Sequence, residues 1–217
     1  MTETGEPPVA QEHFFEAVCE AWEEAGRRHG VVERFFQIGG HTLCLCFAGE
    51  ALVPLLTPAL EHLEVPPSLA ALTVRVWDSG STGVAMPPPV WSASDMLPRG
   101  EVSGWNEGAV RLTYHPDPDT VSLMHEEKAL AVFWIADAAL TPYYESGAPV
   151  RSILHWWMSS QSLQLVHAAA LGMPTGGVLL AGRGGSGKST TALACLNSDL
   201  FYAGDDYCIV SAGSAPV

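Results

Sequence analysis

Apolar residues between Gln11 and Arg28 fall at Phe14, Val18, Ala21, Trp22 and Ala25, the three-and-four spacing of a helix with one buried face. Gly26 and Gly30 bracket its expected end. From Arg34 to Phe47 the pattern changes to strand-like runs, with Gly39-Gly40 as the turn of a hairpin. A short helix is expected over about 50–63, started or interrupted by Pro54 and Pro58. Residues 72–77 alternate as a strand. The stretch 80–104 is rich in Gly, Pro and Ser and reads as one long loop, stiffened at Pro87-Pro88-Pro89. Strands resume at 109–114, 120–125 and 129–135, the pattern of an antiparallel meander, and a helix is expected over about 149–160. Residues 1–10 are polar and Pro-containing and are expected as a disordered lead.

A further pair of strands is expected at 163–171 and 177–181. The turn between them, around Pro174-Thr175-Gly176, is too short for a parallel crossover and predicts antiparallel pairing. A helix-favouring run at 190–196 and a strand at 200–204 follow, then Asp205-Asp206 and the apolar run 207–210. No internal repeat is present. The pattern predicts a mixed α/β fold: an N-terminal α/β region over 11–150, then a second core over 151–217.

The 217 residues carry a formal charge of −14. Residues 1–159 hold eight basic and twenty-one acidic side chains, and 160–217 hold two and three. An acidic chain without a basic cluster is a poor nucleic-acid partner, since phosphate neutralisation dominates that affinity. No apolar run is long enough for a membrane span, and the first residues lack the basic and apolar regions of a secretory signal. The five cysteines, Cys19, Cys44, Cys46, Cys195 and Cys208, form no C-x-x-C and read as buried free thiols of a cytoplasmic protein. Cys44 and Cys46 share one strand face, but no further metal ligand is evident at suitable spacing. Trp77, Trp91, Trp105 and Trp134 read as core and loop anchors before a stacking surface. His115 and His125 are expected at strand ends, and His155 on a helix.

The stretch from Gly182 to Ser189 carries the most specific chemistry. It fits the phosphate-loop pattern G-x-x-x-x-G-K-[ST] between a strand and a helix. Such a loop curls so that successive amide N–H groups face one phosphate. The residues expected around the nucleotide are Gly182, Arg183, Gly184, Gly185, Ser186, Gly187, Lys188, Ser189 and Thr190. Lys188 would reach the β- and γ-phosphates and Ser189 would ligate Mg²⁺. Lys188 is one of only two lysines in the chain.

The order His167, phosphate loop, Asp205-Asp206 resembles the C-terminal domain of HPr serine kinase/phosphorylase, whose nucleotide-binding architecture is shared with phosphoenolpyruvate carboxykinases. That family has a His on the strand before the loop and a strand ending in Ala-Asp-Asp after it. The likeness covers about a fifth of the chain, from His167 to Val210. Residues 33–160 look similar to the N-terminal half of bacterial HPr-kinase-like proteins, some of which phosphorylate ribosomally made peptides such as lasso peptides. The resemblance implies a P-loop kinase core using ATP and Mg²⁺, with a serine of a protein or peptide as acceptor. It makes Asp206 the general base, gives Asp205 a part in metal binding or orientation, and has His167 position the carboxylate or phosphate. Kinases of this type assemble into oligomers, which implies a homo-oligomer here.

Two departures qualify the likeness. The family's loop continues Lys-Ser-Glu, whereas this chain has Lys188-Ser189-Thr190-Thr191. In the family a further segment follows the Asp pair, supplying an acidic metal ligand and an arginine. The sequence ends at Val217 after a loop-like tail, so the core is expected to be incomplete and to expose an unpaired sheet edge. The alternatives to a serine kinase are a nucleotide-binding regulatory module without transfer chemistry and a simple ATPase.

Overall fold

The computed structural model describes residues 7–211, and the chain divides into two compact units, Met1–Trp157 and Met158–Val217. Helix α1 spans Pro7–His29. It begins inside the stretch expected as a lead, because prolines are tolerated at a helix start, where the first amides lack partners anyway. Residues 1–6 of that lead and 212–217 of the expected tail lie outside the described residues. Arg27, Arg28 and His29 crowd the last turn, where the helix dipole favours cations. Gly30 then takes a φ of +80° and its N–H returns to the Gly26 carbonyl, ending the helix.

Strands β1 (Val31–Ile38) and β2 (His41–Ala48) form the expected hairpin. Its two-residue turn needs positive φ at both positions, and Gly39 and Gly40 supply +57° and +82°. The helix expected over 50–63 is instead a single turn, α2 (Val53–Leu56), followed by a 3-10 helix at Pro58–Leu63. Pro58 has no amide to continue the α-helical ladder. Strand β3 (Leu72–Asp78) leads into the one-turn α3 (Ser79–Thr82), and β4 (Val110–His115), β5 (Thr120–His125) and β6 (Leu130–Ile135) make the expected meander. The six strands join in the order β1-β2-β3-β6-β5-β4. The sheet is mixed, because β3 lies parallel to both β2 and β6 while the remaining pairs are antiparallel.

Phe14, Phe15 and Val18 of α1 pack on Trp77, Leu112, Val121, Leu123 and Val132 of the sheet. Burying each large apolar side chain contributes roughly 1.5–3 kcal/mol. The loop at 80–104 is drawn onto this core rather than standing free. Val84 and Val102 are buried in it, and Trp91 packs edge-on against Phe14 and Trp105. Trp77, Trp105 and Trp134 are buried, as the anchor reading expects. His115 and His125 do end their strands, and His155 lies on α5 (Arg151–Ser160), after the short α4 (Tyr143–Gly147).

The second unit is built around β7 (Leu163–Met173). Its antiparallel partner on one edge is β8 (Gly176–Ala181), as the short turn requires. Along the other edge β9 (Phe201–Gly204) and β10 (Tyr207–Ser211) follow end to end, both antiparallel to β7. Helix α6 (Lys188–Ala194) lays Ala192 against Ala169 and Leu171 of β7. Among the described residues β8 pairs only with β7, and its Val178 and Leu179 are exposed. None of the described helices is long and apolar enough to cross a membrane.

Candidate functional site

Because β8 and β9 each run antiparallel to β7, they run parallel to one another, and both end beside the same stretch of it. Ala181, the last residue of β8, pairs with Ala168, while Gly204, the last of β9, pairs with Ala170. The phosphate loop therefore leaves one side of β7 and Asp205-Asp206 leaves the other, with His167 between them. His167, Ala169 and Leu171 alternate onto one strand face. Ala169 and Leu171 are packed with Ala192 of α6, so His167 stands on the helix side of the sheet.

Gly185 and Gly187 adopt φ of +77° and +88°, which a side chain would strain. At Gly182 a Cβ would come within 2.6 Å of Ser186 Oγ, so a larger residue there would displace that hydroxyl. The Ser186 amide donates to the Arg183 carbonyl at 3.1 Å and closes the loop. Lys188 opens α6 and folds back: its Nζ donates to the carbonyl oxygens of Gly182 at 3.0 Å and Arg183 at 3.4 Å. An ammonium held by two carbonyls of a glycine-rich loop suits a phosphate-bearing ligand, because exposed carbonyl partners are readily exchanged for anionic oxygens. Arg183 and Thr190 are exposed at the loop rim.

On the far side of β7, His167 Nε2 lies 3.1 Å from Asp206 Oδ1. The imidazole stacks on Tyr207, its register partner, with ring centroids 5.2 Å apart and planes 23° from parallel. The Asp206 carbonyl accepts from the Ala168 amide at 3.0 Å, which fixes the bend between β9 and β10 against β7. Ser189 Oγ donates to the Asp205 carbonyl at 3.4 Å, joining the first turn of α6 to the Asp pair. The Ser189 hydroxyl and the Asp205 carbonyl are hard oxygen donors, the type of ligand that Mg²⁺ takes.

Two residues not singled out in the sequence complete the surroundings. The Tyr202 phenol is pushed up to about 12, first by burial and then by its hydrogen bond to the Asp205 carboxylate. It stays protonated and serves as a donor to that carboxylate. Burial, then the charges of Asp205 and Asp206, raise the Cys208 thiol, whose Sγ donates to the Ala168 carbonyl at 3.2 Å. Tyr207 and Tyr202 flank the Asp pair in sequence, but their roles depend on strand register, which spacing alone does not disclose.

No protein-family model matches the chain, and no curated protein matches it.

A second concave region lies in the first unit, where His115, Thr120, Ser122, Tyr144, Glu145, Arg151 and Ser152 line a cavity of about 290 Å³. Burial pushes Glu145 up to about 7 against the opposing pull of Arg151, and its Oε2 has no hydrogen-bond partner. Burial, then the nearby Arg151 charge, lowers His115.

Proposed function

We propose that this chain is an ATP-dependent serine phosphotransferase of HPr-kinase-like type, acting on a hydroxyl of a protein or peptide. The observation that supports it best is the convergence beside the middle of β7 of the lysine-bearing loop, His167 and Asp205-Asp206. Mg²⁺–ATP would supply the transferable phosphoryl group and much of the charge neutralisation that such transfer needs. Lys188 would exchange the carbonyls of Gly182 and Arg183 for phosphate oxygens. Ser189 and Asp205 would hold the metal. Asp206 would accept the proton of the serine hydroxyl as that oxygen attacks, while His167, braced on Tyr207, keeps the carboxylate aimed. The kinase reading makes the cytoplasm, where ATP is abundant, the working compartment.

The second reading is a nucleotide-binding module without transfer chemistry, with the simple ATPase as a variant in which Asp206 activates water. Among the described residues the outer edge of β8 has no partner strand, and with Val178 and Leu179 exposed it favours a docking role. Calorimetric titration with ATP, with and without Mg²⁺, tests the shared premise. Mg²⁺-dependent binding that weakens about tenfold or more in Lys188→Ala supports a nucleotide site. Phosphate transfer to a serine-bearing acceptor then separates kinase from module, and turnover without any acceptor marks an ATPase. A folded chain that binds no nucleotide overturns all three.

A further inference from the structure

Cys44 and Cys46 stand two residues apart on β2, so their side chains leave the same face, and both are buried. Their sulfurs are 3.2 Å apart. Directly opposite Cys46 in the β1–β2 register is Glu33, whose Oε1 lies 3.8 Å from Cys46 Sγ. One donor atom from each of the three residues falls within 4.8 Å of the others. The sequence places the two cysteines on one face but hides the carboxylate, which arrives only through pairing with β1.

We propose that Cys44, Cys46 and Glu33 form a binding site for a thiolate-seeking divalent cation of the Zn²⁺ class. Sulfur ligands at about 2.3 Å and a carboxylate oxygen at about 2.1 Å suit such an ion, and three protein donors leave one tetrahedral position for water or another ligand. At a tetrahedral angle those bonds span about 3.8 Å between sulfurs, so a rotation opening the pair by roughly half an ångström seats the ion. Glu33 is exposed, which gives the ion an entry from solvent past two otherwise buried thiols. Two thiolates and a carboxylate bring three negative charges and the cation two positive, which leaves one negative charge near Arg75, the β3 register partner of Cys46. Arg75 is itself held by Glu23 at 3.2 Å and by the Trp22 ring at 4.6 Å, so its position does not depend on the ion.

The site pins edge strand β1 to β2 across the hairpin, independently of the nucleotide-site reading. Titration of the fully reduced full-length chain with Co²⁺ reads it directly, through the sulfur-to-cobalt charge-transfer absorption. One tightly bound Co²⁺ per chain is expected, displaced by Zn²⁺, with a raised melting temperature in Zn²⁺. The absorption should vanish in Cys44→Ala and Cys46→Ala and persist in a Cys195→Ala/Cys208→Ala control. Should either core substitution prevent folding, the exposed Glu33→Gln variant decides: at least tenfold weaker Co²⁺ binding supports the site, and unchanged affinity overturns it. Absence of the absorption in folded wild-type protein, its survival in a folded Cys44→Ala or Cys46→Ala chain, or its loss in the control also overturns it.

Discussion

The imidazole Nε2 of His167 sits 3.1 Å from the Asp206 carboxylate, across two neighbouring strands and on the register partner of Tyr207. Asp206 is separated from His167 by thirty-nine positions in the chain, yet β-pairing brings them into contact. If this contact aims a general base, Asp206→Asn should lower acceptor-dependent phosphate transfer by roughly 10²–10⁴-fold while nucleotide affinity is kept. His167→Ala should lower transfer less, again without weakening ATP binding. Parallel loss of affinity in both variants, measured by calorimetry, would count against a positioning role.

Lys188 is expected to carry much of the phosphate affinity. Charge-assisted hydrogen bonds are worth about 1.5–3 kcal/mol, so Lys188→Ala should weaken Mg²⁺–ATP binding by roughly ten- to a hundredfold. Its present partners are two exposed loop carbonyls, so the melting temperature should move little. A large fall in melting temperature would instead make Lys188 a structural latch of the loop.

Tyr202 offers a titration test of the geometry around Asp205. Its phenol is raised to about 12, so the folded state holds that proton more tightly than the unfolded chain, whose value is about 10. The associated stability is fully present below about pH 10 and is lost as pH rises through about 12. Asp205→Asn should bring the Tyr202 titration partway down, read from tyrosinate absorbance against a Tyr202→Phe control. An unchanged curve would show that the carboxylate does not accept from this phenol.

Glu145 should make the first unit less stable as pH rises. Its folded value of about 7 exceeds the ordinary 4.5, so the folded state binds more protons between those values and unfolding becomes easier with increasing pH. Glu145→Gln should remove this slope and stabilise the chain above pH 7, by at most roughly 3 kcal/mol. Denaturant melts of both proteins at pH 5 and pH 8 test it. Equal stability differences at the two values would refute the burial argument.

Much of the fold was readable where neighbours along the chain decide it. The periodic face of α1, the Gly39-Gly40 hairpin, the 109–135 meander and the antiparallel β7–β8 pair all follow from period, turn chemistry and link length. At 50–63 the expected interruption falls at Pro58, which leaves a single α-turn and a 3-10 helix. Expectation failed at the chain's start, where Pro7 begins a helix. There a local backbone rule competed with a broader compositional reading and won.

The loop from Gly182 to Ser189, the Asp pair and the candidate His167 were fixed by the sequence, because short motifs encode backbone curvature and donor chemistry in contiguous residues. The stacking of His167 on Tyr207, the Tyr202–Asp205 hydrogen bond and the approach of Glu33 to Cys44 and Cys46 were decided by the tertiary structure alone. Each depends on strand register, and register is selected by the burial of whole strand faces over many residues, so it cannot be read from any one of them.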